Sequence, residues 1–578
     1  MTEPYEKYGF TIESENEDMR SSLSIREKEN SFVLSVRLSF PTRVVPKKTK
    51  IRCEFPLRDP QGVWSQQCML VRNLPADWAA ARYVARSASS IPMLSVYGVS
   101  DVNLLTVTNL DAETPSAVSA GYREEDSKTV VTVELFVLPV QPLYSYETKI
   151  LFDFRPTHFA ERVRYAVGLY DEKLPPAPVP SAAKDTVFST WYCYHQHVNE
   201  KRLLKDCKSA KELGMDVVII DDGWQTSNTE RGYAFCGDYE VCKDKISDMR
   251  ALVDELHGLK MKAMLWFAVP FIGDNAKAIE RFRDKTLYHS DGSNAYVLDP
   301  RYKEVREHIL SCTAKAVREW DMDGLKLDFV NAFELADTRV PEGVDCETLE
   351  EGIRRLLQEL HGALTAIKSD ILIEFRQGYV GPAMRTLSNM LRVGDCPGSM
   401  LINRTGIVDL RLTSGKTAVH SDPLVWAKDA TAEDVGRYFT NVVFSVAQIS
   451  AAPSELTDEQ RQTVKHYVSF MREYRKTLLD SEFTFSGASE NYPLVRVYDE
   501  KREIVGVYAP VVAEIEREEA FVLNGTGKSE LVLNVRGRYA FIMYSATGKV
   551  QNEGETEGVS VLPIPSGGMI KLNKIKRK

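Results

Sequence analysis

The sequence predicts a multidomain α/β and all-β protein. A central (β/α)8 TIM barrel is flanked by an N-terminal β-sandwich and a small C-terminal antiparallel β domain. Three observations carry this expectation. Short β-branched, partly alternating runs fill residues 20–155, then eight apolar runs alternate with amphipathic segments, and short strands return after about residue 483. Repeated short strands with turn residues between them read as a sandwich, and strands alternating with helix-period segments read as a parallel barrel.

The N-terminal strands are seen in Ser31-Phe32-Val33-Leu34-Ser35-Val36-Arg37-Leu38 and Thr129-Val130-Val131-Thr132-Val133-Glu134-Leu135-Phe136. The run Pro175-Pro176-Ala177-Pro178-Val179-Pro180-Ser181 is a stiff connector. It places the first boundary so that residues 1–178 form the sandwich, 179–480 the barrel and 481–578 the C-terminal β domain with its basic tail.

Candidate barrel strands are 187–192, 217–221, 261–267, 324–329, 371–375, 390–394, 416–420 and 442–449. Amphipathic helices are expected at 200–213, 247–257, 303–320 and 349–367, and one long helix at 458–479. A doubly wound sheet is the competing fold, but no glycine-rich phosphate loop follows the first strand.

Composition narrows the function. The chain has 578 residues, 43% hydrophobic and 27% charged, in the range of an ordinary globular protein. A net charge of −9 argues against nucleic acid or an anionic membrane as partner. No apolar run is long enough to span a bilayer. The first residues lack a basic stretch followed by an apolar one, and nine cysteines lie without CxxC spacing. Both features lead to the expectation of a cytoplasmic protein with free thiols. Association into a homo-oligomer is left open.

The chemistry-bearing residues fall where the apolar runs stop. Val217-Val218-Ile219-Ile220 ends in Asp221-Asp222-Gly223-Trp224, and Gly324-Leu325 leads into Lys326-Leu327-Asp328-Phe329. Active sites of (β/α)8 barrels sit at the C-terminal ends of the strands, and a carboxylate there is costly to desolvate. Trp191, Tyr192, Trp266, Arg376, Arg392 and Asp395 fall at further strand ends. Aromatic rings, carboxylates and cations together suit a sugar: rings take its C–H faces and ionised groups its hydroxyls. Two carboxylates flanking a glycosidic bond can serve as nucleophile and acid/base.

Plainer roles compete. An Asp at a strand end is often the N-cap of the next helix, and Asp221-Asp222 could be a cap with a solvated neighbour. Trp191, Trp224 and Trp266 taken singly are more often core. Lys326 resists a plain reading, since a lysine two residues before a carboxylate on one strand face is expensive unless paired. His195 and His197 show no metal-ligand spacing.

The ordered series resembles glycoside hydrolase family 36, the melibiase-like retaining α-galactosidases of clan D. The motifs are Thr190-Trp191-Tyr192, Ile220-Asp221-Asp222-Gly223-Trp224, Leu265-Trp266-Phe267, Val297-Leu298-Asp299-Pro300, Lys326-Leu327-Asp328-Phe329 and Leu391-Arg392-Val393-Gly394-Asp395. The resemblance implies Asp328 as nucleophile and Asp395 as acid/base, with Asp409 and Asp422 as rivals, Asp422 the stronger. It implies Asp221, Asp222 and Lys326 as partners of sugar hydroxyls, Trp191 and Trp266 as walls, and Tyr192 and Arg392 beside them.

One departure stands out. Where the family offers a cysteine or glycine-rich turn after the fifth strand, this chain reads Glu374-Phe375-Arg376-Gln377-Gly378-Tyr379, so Arg376 faces the sugar. The implied activity is hydrolysis of α-linked galactosides by double displacement, with no metal and no organic cofactor. The alternatives are an α-N-acetylgalactosaminidase, another α-glycosidase or transglycosidase, and a non-catalytic carbohydrate-binding barrel.

Overall fold

A computed structural model describes residues 10–576. Its centre is an all-parallel barrel of eight strands: β1 (Val187–Ser189), β2 (Val217–Ile220), β3 (Lys262–Ala268), β4 (Gly324–Asp328), β5 (Leu372–Arg376), β6 (Met390–Arg392), β7 (Ala418–His420) and β8 (Gln448–Ile449). From β1 to β7 each strand pairs with the next in chain order, and β8 pairs with β1. Single bridges, His420 to Val446 and Leu424 to Ile449, carry the pairing from β7 across to β8.

Every expected barrel strand is present, most of them shorter than their apolar run. The first run stops at Ser189, because Trp191–Tyr194 turns into one helical turn. The helices between strands begin on side-chain caps. Asn199 caps α1 (Glu200–Glu212), Asp248 caps α2 (Met249–Gly258) and Thr348 caps α4 (Leu349–Ile367), each accepting from a backbone N–H of the first turn. Between α2 and α4 lies α3 (Lys303–Glu319). The long helix expected at 458–479 is two, Asp458–Glu473 and Arg475–Asp480, broken at Tyr474. A small antiparallel sheet of Phe271–Gly273, Thr286–Ser290 and Ala295–Leu298, unforeseen from sequence, is inserted after β3.

Alternation along the barrel strands separates their two faces. Val218, Ile220, Leu325, Leu327, Ile373, Phe375, Leu391 and Val419 pack into the large core that continues under the helices. Val187, Val217, Ile219, Met264, Leu372, Met390 and Ala418 form a separate cluster inside the barrel at its N-terminal end, closed by Ala182 and Ala183. Two residues further along the same faces the interior becomes ionic: Asp221, Lys326, Glu374 and Arg392 are all buried.

Before the barrel, a five-stranded and a six-stranded sheet, antiparallel throughout, share one apolar core that includes Phe32, Leu34, Val36, Val96, Val107 and Phe152. A helix that the strand-rich text hid, Phe159–Asp171, follows them. After the barrel an eight-stranded sheet packs its own core around Val505, Val522, Leu533 and Ile570. Two pairings correct the antiparallel expectation there. Arg502–Val507 lies parallel to Glu519–Asn524, and Val512–Ile515 parallel to Leu531–Tyr544. The cause is a crossover: after Val507 the chain leaves for the opposite sheet edge and re-enters in the same direction. Among the described residues no helix is long and apolar enough to cross a membrane.

Candidate active site

The C-terminal ends of β2 to β7 gather the ionisable residues. Asp221 lies at the end of β2 and is buried; Lys326 on β4 reaches across and donates to its Oδ2 at 2.6 Å. This pairing resolves the cost of a lysine inside an apolar strand, since each buried charge is met by its opposite. Asp222 turns the other way and accepts from Gln196 Nε2 at 2.7 Å and Gln225 Nε2 at 2.8 Å. Burial pushes its carboxyl up to about 6, against the pull of those two amides. The turn needs Gly223, whose φ is +105° and where a Cβ would stand 2.5 Å from Gln196 Cα.

Asp328 ends β4 and is the most heavily bonded carboxylate of the site. Its Oδ2 accepts from Trp266 Nε1 at 3.1 Å. Its Oδ1 accepts from Arg376 Nε at 3.0 Å, from the Phe329 N–H at 2.9 Å and from the Tyr379 hydroxyl. Burial alone would raise this carboxyl, but Arg376, Lys326 and the donors outweigh it and hold Asp328 well below the usual carboxylate range. Phe329 sits in the left-handed region at φ 63° and stacks on Phe271, 5.0 Å between centroids.

A second ionic group surrounds Arg392 at the end of β6. Its guanidinium donates to Asp422 and, at 2.9 Å, to Asp395 Oδ1, while its Nε lies 3.6 Å from Glu374 Oε1. The two aspartates differ in kind. Asp422 is enclosed: Tyr192 OH donates at 2.9 Å and the Cys396 N–H at 2.8 Å, both to Oδ2. Burial pushes it up to about 6 although Arg392 opposes. The Asp395 side chain is 45% exposed. Burial works upward on it too, but Arg392 and Arg376 win and its carboxyl is lowered. Of these carboxylates Arg376 is bonded to Asp328 alone, and its charge also helps to lower Asp395.

The residues singled out from sequence fall into three bonded groups at this end of the barrel: Lys326 with Asp221, beside Asp222; Asp328 with Trp266 and Arg376; and Arg392 with Asp395 and, through Asp422, with Tyr192. Trp191 lies half-buried at the rim, edge-on to His195 at 4.9 Å. Trp266 is wholly buried, and Trp224 is core, packed against Tyr239, Phe267 and Trp320. Asp409 belongs elsewhere: it accepts from Trp64 at 2.9 Å, Arg72 at 2.8 Å and Tyr492 at 2.6 Å, tying the three parts of the chain together.

Three members of these groups were missed in the sequence. Glu374, fully buried on β5, accepts from Gln448 and is raised by burial. A carboxylate inside the run Ile371-Leu372-Ile373 before Phe375 carries the same signal as Lys326. Gln448 and Tyr379 carry no such signal, being an uncharged strand residue and a loop tyrosine.

Residues 157–371 match the Melibiase family model. Among curated proteins it is similar to α-galactosidase AgaA of Geobacillus stearothermophilus, 22% identical over 46% of this chain and 37% of that one. It is also similar to α-galactosidase Mel36A of Lactobacillus acidophilus, 26% identical over 28% of this chain and 23% of that one. The matched stretches thus span well under half of those relatives' own length. In structure, the crystal structure of the GH36 α-galactosidase AgaA superposes with a TM-score of 0.65 at 15% identity, covering 96% of this chain and 81% of that one. The α-galactosidase from Lactobacillus brevis superposes at 0.64 with 13% identity, covering 98% and 83%. These likenesses establish the fold, a sandwich, a barrel and a closing sheet. A variant of AgaA was crystallised with raffinose and another with stachyose.

Proposed function

We propose that the chain is a retaining glycoside hydrolase that cleaves terminal α-galactosides, with residues 1–178, 179–480 and 481–578 as its three domains. The observation that carries the reading is Asp328: kept ionised by Arg376 and Lys326, bonded by Trp266, Arg376 and Tyr379, at the barrel end where the exposed Asp395 stands on Arg392. Asp328 attacks the anomeric carbon and forms an ester bond to it as the glycosidic C–O bond breaks. Asp395, ionised in the free protein, takes up a proton as the bound glycoside excludes water from it and burial outweighs the arginines. It delivers that proton to the departing oxygen, then takes one from water, which attacks the anomeric carbon and releases Asp328. Asp221, Asp222 and Lys326 hold the sugar hydroxyls, and Trp191, Tyr192, Trp266 and Arg392 complete the pocket. The substrates are α-linked oligosaccharides or glycosides, and the setting is cytoplasmic. The raffinose and stachyose complexes of AgaA support oligosaccharides of that kind.

A panel of p-nitrophenyl glycosides tests the activity. The α-galactoside should turn over fastest, and galactose should inhibit more strongly than glucose. Binding without turnover would leave a carbohydrate-binding barrel instead.

The elevated Asp422 favours a second assignment, in which it is the general acid. Asp395 is preferred because its side chain is exposed where a leaving group would stand, whereas Asp422 is enclosed beneath Arg392, Tyr192 and Cys396. Azide distinguishes the two. It should restore turnover of Asp395→Ala on an activated glycoside, giving a glycosyl azide of retained configuration. Restoration of Asp422→Ala alone would transfer the role.

A further inference from the structure

A cavity of about 1010 Å³ lies at the N-terminal side of the barrel, away from the strand ends that carry the active site. Helix Phe159–Asp171, the proline segment 176–179, the end of helix Met400–Thr413 with the turn into β7, and residues 479–483 line it.

Its charges do not balance. Arg411 enters from the barrel and gives its hydrogen bonds only to carbonyls, Phe444 O at 2.9 Å, Leu478 O at 2.7 Å and Leu479 O at 3.2 Å. Arg164 enters from the preceding helix and donates to Phe483 O at 2.5 Å. Among the described residues neither has a carboxylate within ion-pair distance. Lys416 on the rim is also without one, whereas Lys184 is matched by Asp480 and Asp171 by Arg385. Glu482 is the one lining carboxylate left unmatched among the described residues. Arginines are normally buried with a counter-ion, and two facing one space repel each other. That repulsion adds to burial in lowering Arg411 to about 9.

A second observation points to the same space. Thr417 lines the cavity, is 4% exposed, and its Oγ1 has no hydrogen-bond partner among the described residues. A buried hydroxyl left unpaired is costly, and here it stands beside the excess cations.

We propose that this cavity binds a phosphate-bearing small molecule, with Arg164, Arg411, Lys416 and Thr417 as its anion-binding groups. Two guanidiniums, an ammonium and a hydroxyl match the several acceptor oxygens of a phosphate dianion. The volume is that of a ligand pocket and exceeds what a single inorganic anion fills, so a phosphate ester fits better than the free ion. The ligand bridges the helix after the sandwich, the barrel and the start of the C-terminal sheet, and therefore stabilises their junction.

Thermal shift and calorimetry on the full chain test this, with inorganic phosphate, a hexose 6-phosphate and the neutral hexose at matched ionic strength. Both phosphates should raise Tm saturably, the ester binding at least tenfold more tightly than the free ion. Arg164→Met should weaken binding of both at least tenfold, with α-galactoside turnover unchanged. Thr417→Val, which deletes only an unpartnered hydroxyl and keeps the fold, should weaken it several-fold. Asp328→Asn, at the other end of the barrel, should leave it intact. The proposal fails if the shift follows ionic strength alone, if Thr417→Val and Arg164→Met bind as wild type, or if Asp328→Asn abolishes binding and so places the ligand in the sugar pocket.

Discussion

The two ends of the barrel are built from the same strands and obey opposite rules. At the N-terminal end the inward positions are Ile219, Met264, Leu372 and Met390, an apolar layer closed by Ala182 and Ala183. Two residues further along the same faces stand Asp221, Trp266, Glu374 and Arg392, with Lys326 between Trp266 and Glu374 in register. The lower layer stabilises by removing apolar surface from water. In the upper layer each charge is tolerated because another meets it: Lys326 with Asp221, Arg376 with Asp328, Arg392 with Asp395 and Asp422. Stability and chemistry are thus separated along the strand axis, and substitutions at the two ends should separate in the same way.

The largest effect is expected at Asp328. Asp328→Asn keeps the size and the acceptor but cannot form the glycosyl ester. Turnover should fall at least about 10³-fold, roughly 4 kcal/mol in barrier, while circular dichroism stays that of wild type and Tm drops only as far as the weakened Arg376 pair requires. Activity within about tenfold of wild type would remove Asp328 from the nucleophile role.

Breaking a pair in the upper layer should damage both properties. Lys326→Met leaves Asp221 buried without its cation and should cost about 3–5 kcal/mol in denaturant unfolding, with activity lost as well. A stability unchanged by that substitution would mean the pair is not desolvated.

Leu372→Ala, in the lower layer of β5, should cost about 2–5 kcal/mol by opening a cavity. Here the kcat of the folded fraction should remain that of wild type. Loss of kcat without loss of stability would break the separation of the two ends.

The smallest effect is a pH dependence. Asp222 is raised to about 6 from an ordinary value near 3.8. Between those values the unfolded chain has released a proton that the folded chain still holds. Rising pH therefore costs stability across that window, up to about 3 kcal/mol by the pKa difference. Asp222→Asn removes the titration, so the Tm gap between variant and wild type should grow in the variant's favour from about pH 4 to 6 and then level. A gap independent of pH would show that burial does not perturb Asp222.

Apolar runs alternating with amphipathic segments were enough to locate eight barrel strands, and the ionisable and aromatic residues at their ends gave most of the candidate site. Backbone pairing in a buried parallel sheet demands continuous apolar stretches, and an ionisable residue interrupting one is visible in the text. Tyr379 shows what was not visible. It lies in a loop whose path is set by packing, and only the folded chain brings its hydroxyl to Asp328, on an element 51 residues earlier. The ranking of the aspartates was likewise a tertiary matter. Asp395, Asp409 and Asp422 look alike in the sequence, yet one is left open, one ties three parts of the chain together and one is enclosed by Arg392, Tyr192 and Cys396. Where the barrel strands run was legible in the chain, because an apolar run is a local pattern; where most of them stop was not, since they end short of those runs. Which carboxylate is ionised, which is protonated near pH 6 and which cation stands without a counter-ion depend on distances between strands, and only the closed barrel decides them.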